Sequence, residues 1–176
     1  MLILAEVLLG DIMKTIRTST FETNSSSCHT ITIGTNTAPD QPDITITCRG
    51  EGEYGWDEGV EYSCPDELLD YAAVAFCHIC TSGEELKERM RVIGEYFASR
   101  GVTIDWCEDE DSRNHLYEDE GHFGTNFCQG YIDHQSGPRE DSDSMEIARM
   151  FRDDAEALYN FCFGGGSSII TDNDNH

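Results

Sequence analysis

Bases are scarce in this chain. Eleven Lys and Arg stand against 35 Asp and Glu, a formal net charge of -24 over 176 residues. A protein that grips DNA or RNA neutralises phosphates with Lys and Arg, and that term supplies most of its non-specific affinity. The balance therefore excludes direct nucleic-acid binding. It also predicts attraction to a positively charged surface, weakening as salt rises. Long hydrophobic runs are missing too. The apolar opening Met1–Leu9 is interrupted by Glu6 and is too short to span a bilayer, and no cleavable signal with a basic start is present. Those absences predict a chain of the cytoplasm, with no membrane partner and with reduced cysteines. Diagnostic catalytic spacings are lacking: there is no GxSxG, no HExxH and no phosphate loop.

What is present suffices for a folded core. Hydrophobic residues make up 38% of the chain and aromatic residues 10%, more than a chain that stays disordered for want of apolar surface carries. The length fits one domain. Residues 1–12 read as an N-terminal extension, because Met13–Arg17 resembles an independent start and carries the first bases. Residues 13–176 read as a single α+β domain.

Thr30–Ile33 and Ile44–Cys48 alternate apolar and polar residues with β-branched chemistry across a turn-rich stretch, the pattern of a β-hairpin. Cys64–Glu67 places a proline and two carboxylates where a helix begins. Leu68, Ala72, Phe76 and Ile79 then recur at helical spacing to about 80. Ser82 with Glu85 matches a capping box, followed by the stripe Leu86, Met90, Ile93 and Phe97. These two helices are expected to pack as a pair. Val102–Trp106 and Gly130–Asp133 read as strands, 143–162 as one further helix and Ser168–Thr171 as a last strand. The order predicts a mainly antiparallel sheet with about three helices on one face.

The carboxylates are not evenly spread. From Gly50 through Glu85 there is no Lys or Arg, while Asp66, Glu67, Asp70, Glu84 and Glu85 are acidic and Glu51, Glu53, Asp57, Glu58 and Glu61 crowd one stretch. Glu108, Asp109, Glu110, Asp111, Glu118, Asp119 and Glu120 crowd another around the single Arg113. Carboxylates spaced in this way imitate duplex phosphates and fit an Arg-rich groove, with Tyr54, Trp56, Tyr62 and Tyr117 available as apolar anchors. These two runs are the candidate partner-binding residues. Cys77 and Cys80 form the single CxxC and, with Cys64, are the cysteines from which a zinc site would be built. Packed thiols explain them more simply, so no metal or cofactor is expected. Three polar clusters remain: Glu22–His29, Asp133–Ser136 and Thr171–Asp174. Turn and cap chemistry accounts for them. The competing reading is a metal-dependent phosphodiesterase or other hydrolase using Asp133, His134, Asp172 and Asp174.

Phe21–His29, Gly52–Asp57, Gly130–Ser136 and Thr171–Asn175 together resemble a family of poorly characterised proteins of bacteriophages and related mobile elements. That family more often has Ser or Thr where this chain has Cys28. The resemblance implies a mobile-element origin. Joined to the charge, it implies a counter-defence inhibitor of the anti-CRISPR type, a DNA mimic whose partner is a basic nucleic-acid-binding host protein such as a Cas nuclease.

Overall fold

The computed structural model describes residues 14–18, 27–50, 52–55, 59–80, 82–107, 130–132, 143–151 and 153–173. In chain order these form β1 (Lys14–Thr18), β2 (Ser27–Ile33), β3 (Ile44–Cys48), β4 (Glu53–Tyr54), β5 (Val60–Tyr62), α1 (Pro65–Ile79) and α2 (Gly83–Ser99). There follow β6 (Val102–Trp106), β7 (Tyr131–Ile132), α3 (Asp143–Phe151), α4 (Ala155–Phe163) and β8 (Ser168–Asn173). The class is α+β. An antiparallel sheet of order β1-β2-β8-β5 carries most of the strand residues, and two parallel pairs, β3 with β6 and β4 with β7, stand apart from it.

Two expectations about connectivity are corrected here. β2 and β3 do not form a hairpin: β2 is held between β1 and β8, while β3 lies beside β6 with Ile44 opposite Val102. The cause sits at the end of α2. Gly101 takes φ +80, a left-handed conformation that ends a helix readily without a Cβ. Its carbonyl then accepts from Ile44 N at 2.9 Å, and Arg100 O accepts from Gln41 N at 2.8 Å, which lays β6 parallel to β3. The helix expected over 143–162 is also two helices. Asp154 adopts a non-helical conformation and its carboxylate accepts from Ala157 N at 2.9 Å, so α4 begins anew behind its own cap.

α1 is the centre of the core. Every residue from Tyr71 to Cys77 is at most 4% exposed, so this helix is apolar all round where a surface helix would show one stripe. It packs against α3, α4 and β3, and α2 packs against β6 and α4, so the expected α1–α2 pair is not the main contact of either. Ser82 caps α2 as the sequence predicts, accepting from Glu85 N at 3.2 Å, and Leu86, Met90, Ile93 and Phe97 are its buried stripe. Ile31 and Ile169, opposite one another in β2 and β8, close the core from the sheet side. No helix among the described residues is long and apolar enough to cross a membrane.

Candidate functional site

The N-terminal half of α1 carries three carboxylates with different tasks. Pro65 opens the helix, where its missing N–H leaves no partner wanting, and Asp66 and Glu67 lie in the first turn against the positive end of the helix. Glu67 Oε2 accepts from the N–H groups of Ser63 and Cys64, each at 3.1 Å, and holds the chain entering the helix. Its negative charge pushes the exposed Cys64 thiol above the usual thiol range. Asp66 is exposed and makes no hydrogen bond or ion pair among the described residues.

Asp70, one turn further, is a clasp. Its Oδ1 accepts from Arg49 N at 2.9 Å and Gly50 N at 2.6 Å, and its Oδ2 from Gly52 N at 3.2 Å and the Tyr54 hydroxyl at 3.0 Å. With the Cys48 thiol, 3.8 Å from Oδ1, five donors converge on one side chain and bind the end of β3 and the loop between β3 and β4 to the core helix. Hydrogen bonds to an ionised acceptor are about twice as strong as neutral ones. Burial, then the Asp70 charge, pushes the Tyr54 phenol far up, so it remains a donor at any ordinary pH. The same two causes push the buried Cys48 thiol up. The loop's other side is held by Gly130, whose N–H reaches Gly50 O at 2.5 Å. A Cβ on Gly130 would stand 2.7 Å from that carbonyl and 2.5 Å from Val74 Cγ2, so only glycine allows the approach.

Beside the clasp lies a cleft of about 500 Å³ lined by Thr47, Arg49, Gly52, Glu53, Tyr54, Tyr62, Asp66, Glu67 and Asp70. Its wall is aromatic: the Tyr54 ring meets Tyr62 edge to face at 5.1 Å and Tyr71 at 4.8 Å. Glu53 and Asp66 stand exposed at its rim, while Glu67 and Asp70 are engaged by backbone donors. Arg49 is the one base among the described residues of the lining.

Of the partner-binding residues taken from the sequence, Glu53 and Glu61 are described, and both are exposed. Glu51, Asp57, Glu58, Glu108, Asp109, Glu110, Asp111, Glu118, Asp119 and Glu120 lie outside the described residues, as do Asp133, His134 and Asp174. Asp172 lies on β8 opposite Cys28 of β2, and His29 lies opposite Thr171, so the first and last polar clusters meet across one strand pair. Asp66 and Asp70 belong to the acidic run seen in the sequence but were not among the partner-binding residues chosen from it, and Arg49 was not singled out. The signal was Cys64–Asp70 itself, a carboxylate at each of three positions on the opening turns of one helix, which puts that part of the acidic run on α1.

The cysteines are not gathered into a site. Cys64 caps one end of α1 and Cys77 and Cys80 lie at the other, roughly 20 Å away at 1.5 Å per residue. That separation corrects any zinc site drawing on all three. Nor are the thiols all reduced: Cys77 is disulfide-bonded, whereas Cys48, Cys64, Cys80, Cys107 and Cys162 are not in disulfides. Among the described residues no group of three or more His, Cys, Asp or Glu could hold a metal ion.

No family model matches this chain, and neither does any curated protein or solved structure.

Proposed function

We propose that this chain is an acidic inhibitor of phage or mobile-element origin that binds the basic nucleic-acid-binding surface of a host defence nuclease, most plainly a CRISPR effector in the bacterial cytoplasm. It acts by occupancy, without turnover. Such an effector holds its guide and target in a positively charged channel and reads a short flanking motif with Arg side chains. A surface of carboxylates satisfies both.

The observation that carries this reading is how the charge is distributed among the side chains. Arg89 is paired with Glu85 and Asp153, Arg91 with Glu88 and Glu95, and Arg100 with Asp40. The chain's own carboxylates thus pair with three of its eleven Lys and Arg residues, and 35 Asp and Glu stand against that small stock. Glu53, Glu61, Asp66, Glu84, Asp105 and Glu156 are exposed with no basic partner among the described residues, and they are what an external basic groove would meet.

A panel of Cas nucleases and restriction enzymes, each with and without bound nucleic acid, tests the reading by pull-down. Capture of one free nuclease, competed by its nucleic acid, is the expected result. Reversing Glu108, Asp109, Glu110 and Asp111 to Lys should abolish that capture, with the unfolding midpoint measured alongside to show that the variant is folded.

The hydrolase reading keeps one supporting observation, the meeting of Ser27–His29 with Thr171–Asn173 across β2 and β8. Turnover of a nucleotide or nucleic acid, lost in Asp172→Asn and His134→Ala and indifferent to the charge reversals, would replace the inhibitor by an enzyme.

A further inference from the structure

We infer that the tyrosine-walled cleft beside the Asp70 clasp is the seat of a single arginine side chain of the partner; this rests on the inhibitor reading and names where its anchor enters. The cleft, at about 500 Å³, falls within the range that takes a small organic group. An extended arginine reaching into it would lay its planar guanidinium against the half-buried Tyr62 ring, which the buried Tyr54 ring backs edge to face, and where the aromatic quadrupole attracts a cation. Its N–H fork would meet the carboxylates at the rim. Glu53 and Asp66 are free to accept, because no donor or base among the described residues uses them. Glu67 and Asp70 give negative charge at the floor while Glu67 Oε2 and both Asp70 oxygens stay engaged by backbone N–H groups. Those bonds fix the floor before any ligand arrives, so little ordering is left to be done on binding.

Arg49 decides between ligands. It lines the same cleft without an ion pair among the described residues, so its guanidinium is available to an acceptor. A peptide arginine supplies one, the main-chain carbonyl next to the cationic side chain. A bare metal ion or a simple amine has no such acceptor and would only be repelled by Arg49. Lysine fits less well than arginine, because an ammonium lacks the planar fork that meets two carboxylates and stacks on a ring.

The test uses the full chain labelled with ¹⁵N and titrated with N-acetyl-arginine-N-methylamide, with the matching citrulline derivative as the uncharged isostere. The amides of Gly50, Gly52 and Tyr54 should shift saturably with the arginine compound and not with citrulline. Asp66→Asn, an exposed position with no structural bond, should weaken binding about fivefold, and Tyr62→Leu by a similar factor. Glu84→Gln removes the same charge at the start of α2, beyond the far end of α1, and should leave affinity unchanged. Equal binding of citrulline, or equal loss in Glu84→Gln and Asp66→Asn, overturns the inference, since either means general attraction and no seat. The two proposals fail separately. Arginine binding at these amides with no nuclease captured sinks the inhibitor reading alone, and nuclease capture with these amides unmoved sinks the cleft alone.

Discussion

Asp70 has more depending on it than any other polar residue of the described chain. A short carboxylate on the second turn of a buried helix can satisfy the N–H groups of a turning loop only if that loop passes directly above it. The bonds to Arg49, Gly50, Gly52 and Tyr54 require that it does. Asp70→Asn keeps the shape but loses the charge and turns an amide NH₂ toward donors. A loss of about 3 kcal/mol in urea unfolding is expected, near what one or two charge-assisted bonds contribute. Tyr54→Phe removes one donor and should lose about 1 kcal/mol. Equal stability of Asp70→Asn and the parent chain would show that the clasp is incidental. Cys64 gives a second residue-level check. Glu67 raises its pKa, so the thiol stays protonated, and slow to alkylate, to a higher pH than an ordinary cysteine. The pH of half-maximal alkylation at Cys64, followed by peptide mass mapping, should lie above that of a free cysteine peptide and should fall in Glu67→Gln.

At the level of elements, the helices were far more legible than the sheets. Pro65, Ser82 and the stripe Leu86–Phe97 state their roles locally, because caps and helical periodicity depend on neighbours within one turn. Strand existence was legible for the same reason: β-branched alternation marks Thr30–Ile33, Ile44–Cys48 and Val102–Trp106. Strand pairing was not, since the partner of β3 is β6, across two intervening helices, and nothing in Ile44–Cys48 names it. The break at Asp154 was missed because Ile147, Phe151, Ala155 and Leu158 keep helical spacing straight through it. Asp154→Ala should therefore cost about 1 kcal/mol, the usual loss for a cap, and an unchanged unfolding midpoint would mean that α4 needs no separate start. The site itself was half legible. Charge and aromatic content pointed to the stretch 51–62, but the cleft exists only because Asp70 folds that stretch back onto α1. Gly130→Ala tests that arrangement from the other side. A methyl group there meets Gly50 O and Val74, so the variant should lose stability and weaken the β4–β7 pairing together. Full stability with native Gly50 and Gly52 amide shifts would contradict the packing described.

For the whole molecule, a net charge of -24 is more than solubility needs for a chain of 176 residues. Exposed carboxylates add little to stability, and their mutual repulsion opposes the compact state. Excess of one sign makes physical sense when a partner of the other sign neutralises it. The most direct measurement is the affinity for a captured nuclease across a salt series from about 50 to 500 mM, which shortens the screening length from more than 10 Å to about 4 Å. The account predicts that affinity falls steeply and monotonically with salt, mainly through slower association, and that Glu53→Lys with Glu61→Lys and Asp66→Lys flattens the dependence. Affinity that is indifferent to salt, in the parent chain and the reversed variant alike, would contradict it.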